Sequence, residues 1–378
     1  MPDALPWSAA RDAAGAEGAR LRAGLPVERV PLAAAAGRAL AADLVADADL
    51  PPAPTSAMDG WAVAGPGPWQ VTGAVLAGQR PAPLPPGTAV VVATGTWLPP
   101  GAEAVLRREH GGVEGGTLRA AAPGAPAAGR DVRPRGEEVL RGTPLVPAGA
   151  RATPAVVALA AAAGHDDLAV RAVPRLALLV VGDELLAAGP PRDGKVRDAL
   201  GPALPAWFRA LGAAPRTERV PDDPDALAAA LARPADVVVT TGATAAGPAD
   251  HLRPVLRRLG ARLLVPSVDV RPGHPMLLAR LPDGTPVVGL PGNPLAAAAG
   301  VLTLVAPLLG AGAGRRCALA APLPAGRATR LVPVRDGAPC AHTGPGMLRG
   351  LAAADGVAVV PPGEGASEGP YEVLDLPR

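Results

Sequence analysis

Residues 285–290 form an apolar run that stops at Pro291-Gly292-Asn293-Pro294, and an alanine- and leucine-rich stretch, 295–309, follows at once. The run reads as a strand buried on both faces and the stretch as a buried helix. Two similar runs lie upstream, Arg175–Val181 and 235–241, each ending in small residues. Helical patterns at 198–211, 223–232 and 249–259 fall between them, and 262–266 reads as a further strand. Doubly buried strands alternating with helices predict a doubly wound parallel sheet. A strand ending at a glycine turn just before a helix aims backbone N–H groups at one point. The turn Pro291 to Pro294 is therefore expected to receive an anion, usually a phosphate.

The rest of the chain is an α/β multidomain arrangement built around that sheet. Residues 8–24 and 33–45 read as alanine-rich helices, and 153–164 as another. Between them, short Val-rich runs broken by Gly and Pro mark a small inserted β domain. After residue 315 short strands return, at 329–334, 356–360 and 371–376. The expected division is a discontinuous helical N-terminal module (1–48 with 150–173), an inserted β domain (49–149), an α/β domain (174–314) and a C-terminal β domain (315–378).

Gly 47 and Pro 49 make up about a quarter of the 378 residues, yet they punctuate apolar runs and do not form one disordered block. A net charge of +2 without any Lys/Arg run argues against nucleic-acid binding. Cys317 and Cys340 have no metal spacing, and two lone thiols fit a reducing cytoplasm. The N-terminus lacks the apolar core of a signal peptide. Residues 285–314 carry no charge, but their prolines argue for a buried strand and helix and against a membrane span.

Ligands of open α/β sheets sit beyond the carboxyl ends of the strands. Those ends hold Gly182-Asp183-Glu184, the loop from Thr241-Gly242 to Asp250, and Pro291 to Pro294. Asp222-Asp223 and the basic turn Arg271-Pro272-Gly273-His274 lie nearby in sequence. Carboxylates with phosphate-cradling loops suit a Mg²⁺-bridged nucleotide or pyrophosphate, and a basic turn suits an oxyanion. Plainer roles compete. Asp223 is well placed to cap the helix after Pro224, Asp250 to start its own helix, and Asp59 to close a Met-Asp-Gly turn. The loop 242–247 matches neither a Walker nor a dinucleotide fingerprint.

Taken in order, the motifs resemble one family. They are Ser56-Ala57-Met58-Asp59-Gly60, Thr94-Gly95, Gly182-Asp183-Glu184-Leu185, Asp222-Asp223-Pro224, Thr241-Gly242 with Asp250, Pro272-Gly273 and Leu290-Pro291-Gly292-Asn293-Pro294. The set resembles the molybdopterin molybdotransferases (MoeA and the gephyrin E domain), whose α/β domain is MogA-like. The resemblance implies insertion of molybdate into adenylylated molybdopterin with release of AMP. It also implies a homodimer and an upstream molybdopterin adenylyltransferase as supplying partner. Carried over, Glu184, Asp222 and Asp250 would hold Mg²⁺. Gly182, Asp183, Thr241, Gly242, Pro291, Gly292, Asn293 and Pro294 would line the nucleotide and pterin phosphates. Arg271 and His274 would face molybdate with Arg330 beside them, and Asp59 would come from the partner subunit. The chain departs from the family pattern at Ala243, Ala245, His274, Ala296, Leu200 and near Pro345. These departures leave open a non-catalytic pterin-binding or scaffold paralogue, or an enzyme of the same fold using tungstate.

Overall fold

In the computed structural model the described residues are 4–122, 124–242, 244, 251–312, 314–367 and 370–377. They form two compact units, one made of residues 1–26 with 172–378 and the other of 27–171.

The first unit opens with α1 (Trp7–Gly24), whose buried residues Trp7, Ala10, Ala14, Glu17, Gly18 and Leu21 recur at helical spacing. A Cβ on Gly18 would lie 2.2 Å from the Leu308 carbonyl oxygen, so only glycine lets the two helices approach this closely. Helix α1 thus belongs with this unit, and residues up to 26 part from the 150–173 segment with which the sequence reading grouped them.

The unit's main sheet is built from β1 (Arg175–Val181), β2 (Ala214–Val220) and β3 (Val237–Thr241). Helices α2 (Leu200–Ala210), α3 (Pro224–Leu231) and α4 (Leu252–Arg258) connect or follow these strands. Further on come β4 (Arg262–Val265), β5 (Val268–Arg271), β6 (Leu277–Arg280) and β7 (Pro286–Leu290). Strand order is β2-β1-β3-β7-β6-β4. The first four are parallel, as the apolar runs predict, but β6 and β4 join antiparallel. The sheet is therefore mixed at one edge, because the hairpin partner β6 follows β4 too closely in the chain for a helical crossover. One face packs Leu178, Val180, Val239 and Val288 towards α1 and α2, and the other packs Leu179, Val181, Val238 and Val287 towards α3 and α4.

The run after β7 is not one regular helix. Helix α5 (Pro294–Gly300) passes into a π turn at Val301–Val305 and then a short helix at Ala306–Leu308. Pro307 has no N–H to continue the ladder, which accounts for the irregularity. Arg11 donates to the Leu302 carbonyl at 2.5 Å, and the Trp7 indole N–H donates to Thr303 Oγ1 at 3.0 Å. Among the described residues no helix is long and apolar enough to cross a membrane.

A second sheet contains β8 (Thr329–Arg335), β9 (Gly356–Val360) and β10 (Tyr371–Asp375), close to their expected bounds. It recruits two strands from far upstream, Leu5–Pro6 and β5. The expected start of the C-terminal β domain near 315 misses both.

In the second unit, Val27–Pro31 pairs antiparallel with Asp167–Arg171. The helix expected over 33–45 is a single turn, Leu32–Ala35, because the chain turns at Gly37 with φ +83. The inserted β region is a six-stranded sheet running from Ala104–Arg107 to Gly111–Glu114.

Candidate active site

Strand β1 pairs with β2 on one side and β3 on the other, so the order reverses there. A crevice at such a reversal is where open α/β sheets bind ligands. A cleft of about 690 Å³ occupies that place. It is lined by Glu184 after β1, Asp222 after β2, Thr241, Gly242 and Thr244 after β3, and Pro291 to Pro294 after β7. These expected residues are thereby brought together.

The loop geometry is set by glycine and by one carboxylate. Gly182 has φ +143, and a Cβ there would lie 2.5 Å from Glu184 Oε2, so the glycine makes room for the folded-back carboxylate. Asp222 Oδ2 accepts the Asp183 N–H at 3.0 Å, which ties the ends of β1 and β2. Asp223 behaves as the plainer reading expects: it caps α3, accepting from the N–H groups of Asp225 and Ala226 at 3.0 and 2.7 Å. The Gly242 N–H donates to the Leu290 carbonyl at 2.9 Å. A Cβ on Gly292 would stand 3.6 Å from the Gly242 Cα, so the two loops are close neighbours.

The first amides of the helix that follows Pro291 to Pro294 have partners within the chain. The N–H groups of Leu295 and Ala296 donate to the Pro345 carbonyl, at 2.9 and 3.2 Å. They are satisfied within the chain and do not point at a ligand. Ala296 and Pro345 thus meet through backbone alone. Gly346 of the same loop lines the cleft, with room for a Cβ 3.5 Å from Asn293 Oδ1.

Among the cleft-wall residues that the sequence reading did not name as site residues are Asp198, Arg197 and Leu200. Asp198 is buried, caps α2 through the Leu200 and Gly201 N–H groups at 3.1 and 2.8 Å, and pairs with Arg219 at 3.1 Å. Both of its carboxylate oxygens are thus engaged within the chain. Arg197 is exposed and donates to the Leu186 carbonyl at 2.9 Å. It follows a glycine-rich turn and carries no motif that would have singled it out. Leu200 adds an apolar surface.

The basic residues form a separate group next to the cleft, joined to it through Pro275. Arg271 ends β5 and lies in register with Arg330 of β8. Neighbouring parallel strands project paired side chains to the same face at about 4.8 Å spacing. Two guanidinium groups side by side repel one another until an anion lies between them. Arg330 also donates to the Pro324 carbonyl, whereas Arg271 has no side-chain partner among the described residues. The His274 Nδ1–H donates to the Val268 carbonyl at 2.8 Å, which fixes the tautomer and leaves Nε2 free among the described residues. A Cβ on Gly273, at φ +112, would meet Met276 Cε at 2.5 Å, so the turn packs tightly on the core.

Asp59 belongs to the other unit. The Thr94 N–H and hydroxyl donate to its Oδ1 at 2.7 and 2.9 Å, and these bonds hold its carboxyl below the usual range. Asp250, Ala243 and Ala245 lie outside the described residues. Among the described residues no group of three His, Cys, Asp or Glu forms a ready metal cage.

The chain matches two family models, "MoeA N-terminal region (domain I and II)" over residues 7–164 and "Probable molybdopterin binding domain" over 177–311. A molybdopterin molybdenumtransferase of Synechococcus elongatus is 35% identical over 325 residues, covering 81% of this chain and 80% of that protein. A molybdopterin molybdenumtransferase 2 of Mycobacterium tuberculosis is 34% identical over 300 residues, covering 73% of each. The crystal structure of a molybdopterin biosynthesis MoeA protein from Pyrococcus horikosii superposes over 100% of both chains, with a TM-score of 0.76 and 26% identity. The chain therefore belongs to the molybdopterin molybdenumtransferase family, a family of transferase enzymes, and has the MoeA fold.

Proposed function

We propose that the chain inserts molybdate into adenylylated molybdopterin with release of AMP. The observation that carries this reading is the shared cleft, where Glu184 and Asp222 face the Thr241-Gly242 and Gly292-Asn293 loops. Magnesium usually keeps several waters and takes only one or two protein carboxylates alongside substrate phosphates. Glu184 and Asp222 fit that donor set. Bound there, the ion would offset the charge of the phosphoanhydride during its cleavage.

The chain's own groups divide the remaining work. Asp222 fixes the Asp183 amide and so shapes the loop under the phosphates. Gly242 and Gly292, without side chains, let phosphate oxygens approach the backbone closely. Arg271 and Arg330 form a cationic pair for the oxyanion, to which His274 Nε2 donates only when the ring is protonated. The reading includes a homodimer in which Asp59 of one copy, held ionised by Thr94, supports the site of the other.

The test is AMP release by the purified chain given adenylylated molybdopterin, Mg²⁺ and molybdate or tungstate. Release with molybdate that falls at least about 100-fold in Glu184→Ala supports the proposal, in line with loss of a charge-stabilising group. Tight pterin binding with no AMP release under either oxyanion would favour the scaffold reading.

A further inference from the structure

Arg253, the second residue of α4, does not line the cleft, yet its guanidinium reaches three segments that build it. Its Nε donates to the Thr244 carbonyl at 3.4 Å, and its Nη2 to the carbonyls of Pro266 at 2.5 Å and Pro275 at 3.3 Å. Thr244 belongs to the loop after β3 and lines the cleft. Pro266 lies in the turn that launches β5, and so sets where Arg271 ends. Pro275 follows His274 and also lines the cleft. Thr244 is thus on the phosphate side, while Pro266 and Pro275 bracket the basic residues.

A guanidinium is planar, always charged, and presents its N–H groups in a fixed fork. Holding several carbonyls with one such group fixes their mutual distances. The backbone of these loops has few alternatives, since Pro266 and Pro275 have no N–H to give to a ladder.

We infer that Arg253 is a positioning residue that sets the phosphate loop and the oxyanion turn at a fixed separation. The inference rests on the proposed reaction for its catalytic consequence, but not for its structural one. Transfer needs the pterin phosphate and the oxyanion aligned, and a misplacement of about 1 Å can cost on the order of 100-fold in rate. Binding of either substrate alone depends on one side only. Loss of Arg253 should therefore lower kcat more than it raises KM.

The test uses the full chain and its Arg253→Lys and Arg253→Gln variants. Lysine keeps the charge but not the fork, so it separates positioning from electrostatics. The expected result for Arg253→Lys is a kcat lowered about 10- to 100-fold, with KM for pterin nucleotide and for molybdate each within about 3-fold of wild type. Hydrogen exchange is the second readout, independent of activity. Peptides containing Thr244 and peptides containing His274 should both exchange faster in each variant, while strands β1 and β7 stay protected. The inference is overturned if Arg253→Lys turns over like wild type with unchanged exchange, or if exchange rises evenly across the whole unit. A wild-type chain that releases no AMP refutes the proposed reaction instead, and the exchange pattern then decides Arg253 on its own.

Discussion

Replacing Arg271 by Gln should make the ligand-free protein melt higher and the oxyanion-bound protein melt lower. Arg271 and Arg330 are in-register neighbours on parallel strands. At the spacing of about 4.8 Å between such strands, two unit charges repel by about 0.9 kcal/mol in water and about 3.5 kcal/mol at an effective dielectric near 20. Arg271 is exposed, its side chain can splay away, and Asp269 sits two residues back on the same strand face, so the lower figure is nearer. Because Arg271 makes no side-chain hydrogen bond or ion pair among the described residues, its removal costs no such partner. The net relief is about 0.5–1 kcal/mol, which raises Tm by about 1–4 °C for a unit of this size. With molybdate at about 100 times its Kd, the wild type gains about 2.7 kcal/mol, and the variant loses most of that gain. Thermal melting with and without molybdate measures both effects. The two curves should cross: Arg271→Gln above wild type without anion, below it with anion. A variant that melts lower in both conditions, or one that molybdate stabilises as much as wild type, would refute the reasoning.

Other predictions concern the fold and the loops. Glu17 is buried between Arg280 and Arg20, with Arg280 Nε 3.0 Å and Arg20 Nη2 2.6 Å from Oε1. Burial pushes its carboxyl up, but the bonds and charges of the two arginines outweigh this, so it lies below the usual range. A lowered carboxylate stabilises the fold above its unfolded pKa, near 4.3, and that contribution disappears as pH falls through the lower folded value. Glu17→Gln should thus cost roughly 3 kcal/mol at neutral pH in chemical denaturation, and the gap to wild type should close below about pH 4. Gly182→Ala combines a strained φ of +143 with a clash against the Glu184 carboxylate, so AMP release should fall about 10-fold or more while Tm drops by only a few degrees. Gly18→Val should unfold the chain at 37 °C or lower its yield of soluble protein, because the helix contact with Leu308 leaves no space for a side chain.

Much of this site could be read from residues, and the failures have physical causes. The apolar runs at β1, β3 and β7 are doubly buried strands, and such runs announce both their structure and the ligand-facing ends that follow. Asp222 and Glu184 could be singled out because acids beyond the carboxyl ends of parallel strands stand where ligands of open α/β sheets bind. Asp198 was not, since a helix-starting Asp looks the same whether it lines a cleft or a surface. The antiparallel edge at β6 was legible in principle, because Asp283-Gly284 is a hairpin turn between residues 277–280 and β7, but the run at 277–280 is only four residues long and was not read as a strand. The register of Arg271 against Arg330 depends on a pairing across 59 residues, and no local pattern encodes that. That Leu295 and Ala296 of the helix after Asn293 offer no free amides could not be read locally, for a similar reason. The carbonyl that satisfies its amides comes from Pro345, in another part of the chain.

Glu184 and Asp222 are proposed to hold a divalent cation jointly against a pyrophosphate. Paramagnetic resonance of Mn²⁺, titrated with the chain in the presence of ADP, measures this without any turnover. The expected result is a bound-ion signal that needs the nucleotide and weakens at least about 10-fold in both Glu184→Gln and Asp222→Asn, as loss of a charged ligand would bring. Wild-type affinity for Mn²⁺ and ADP in both variants would contradict it.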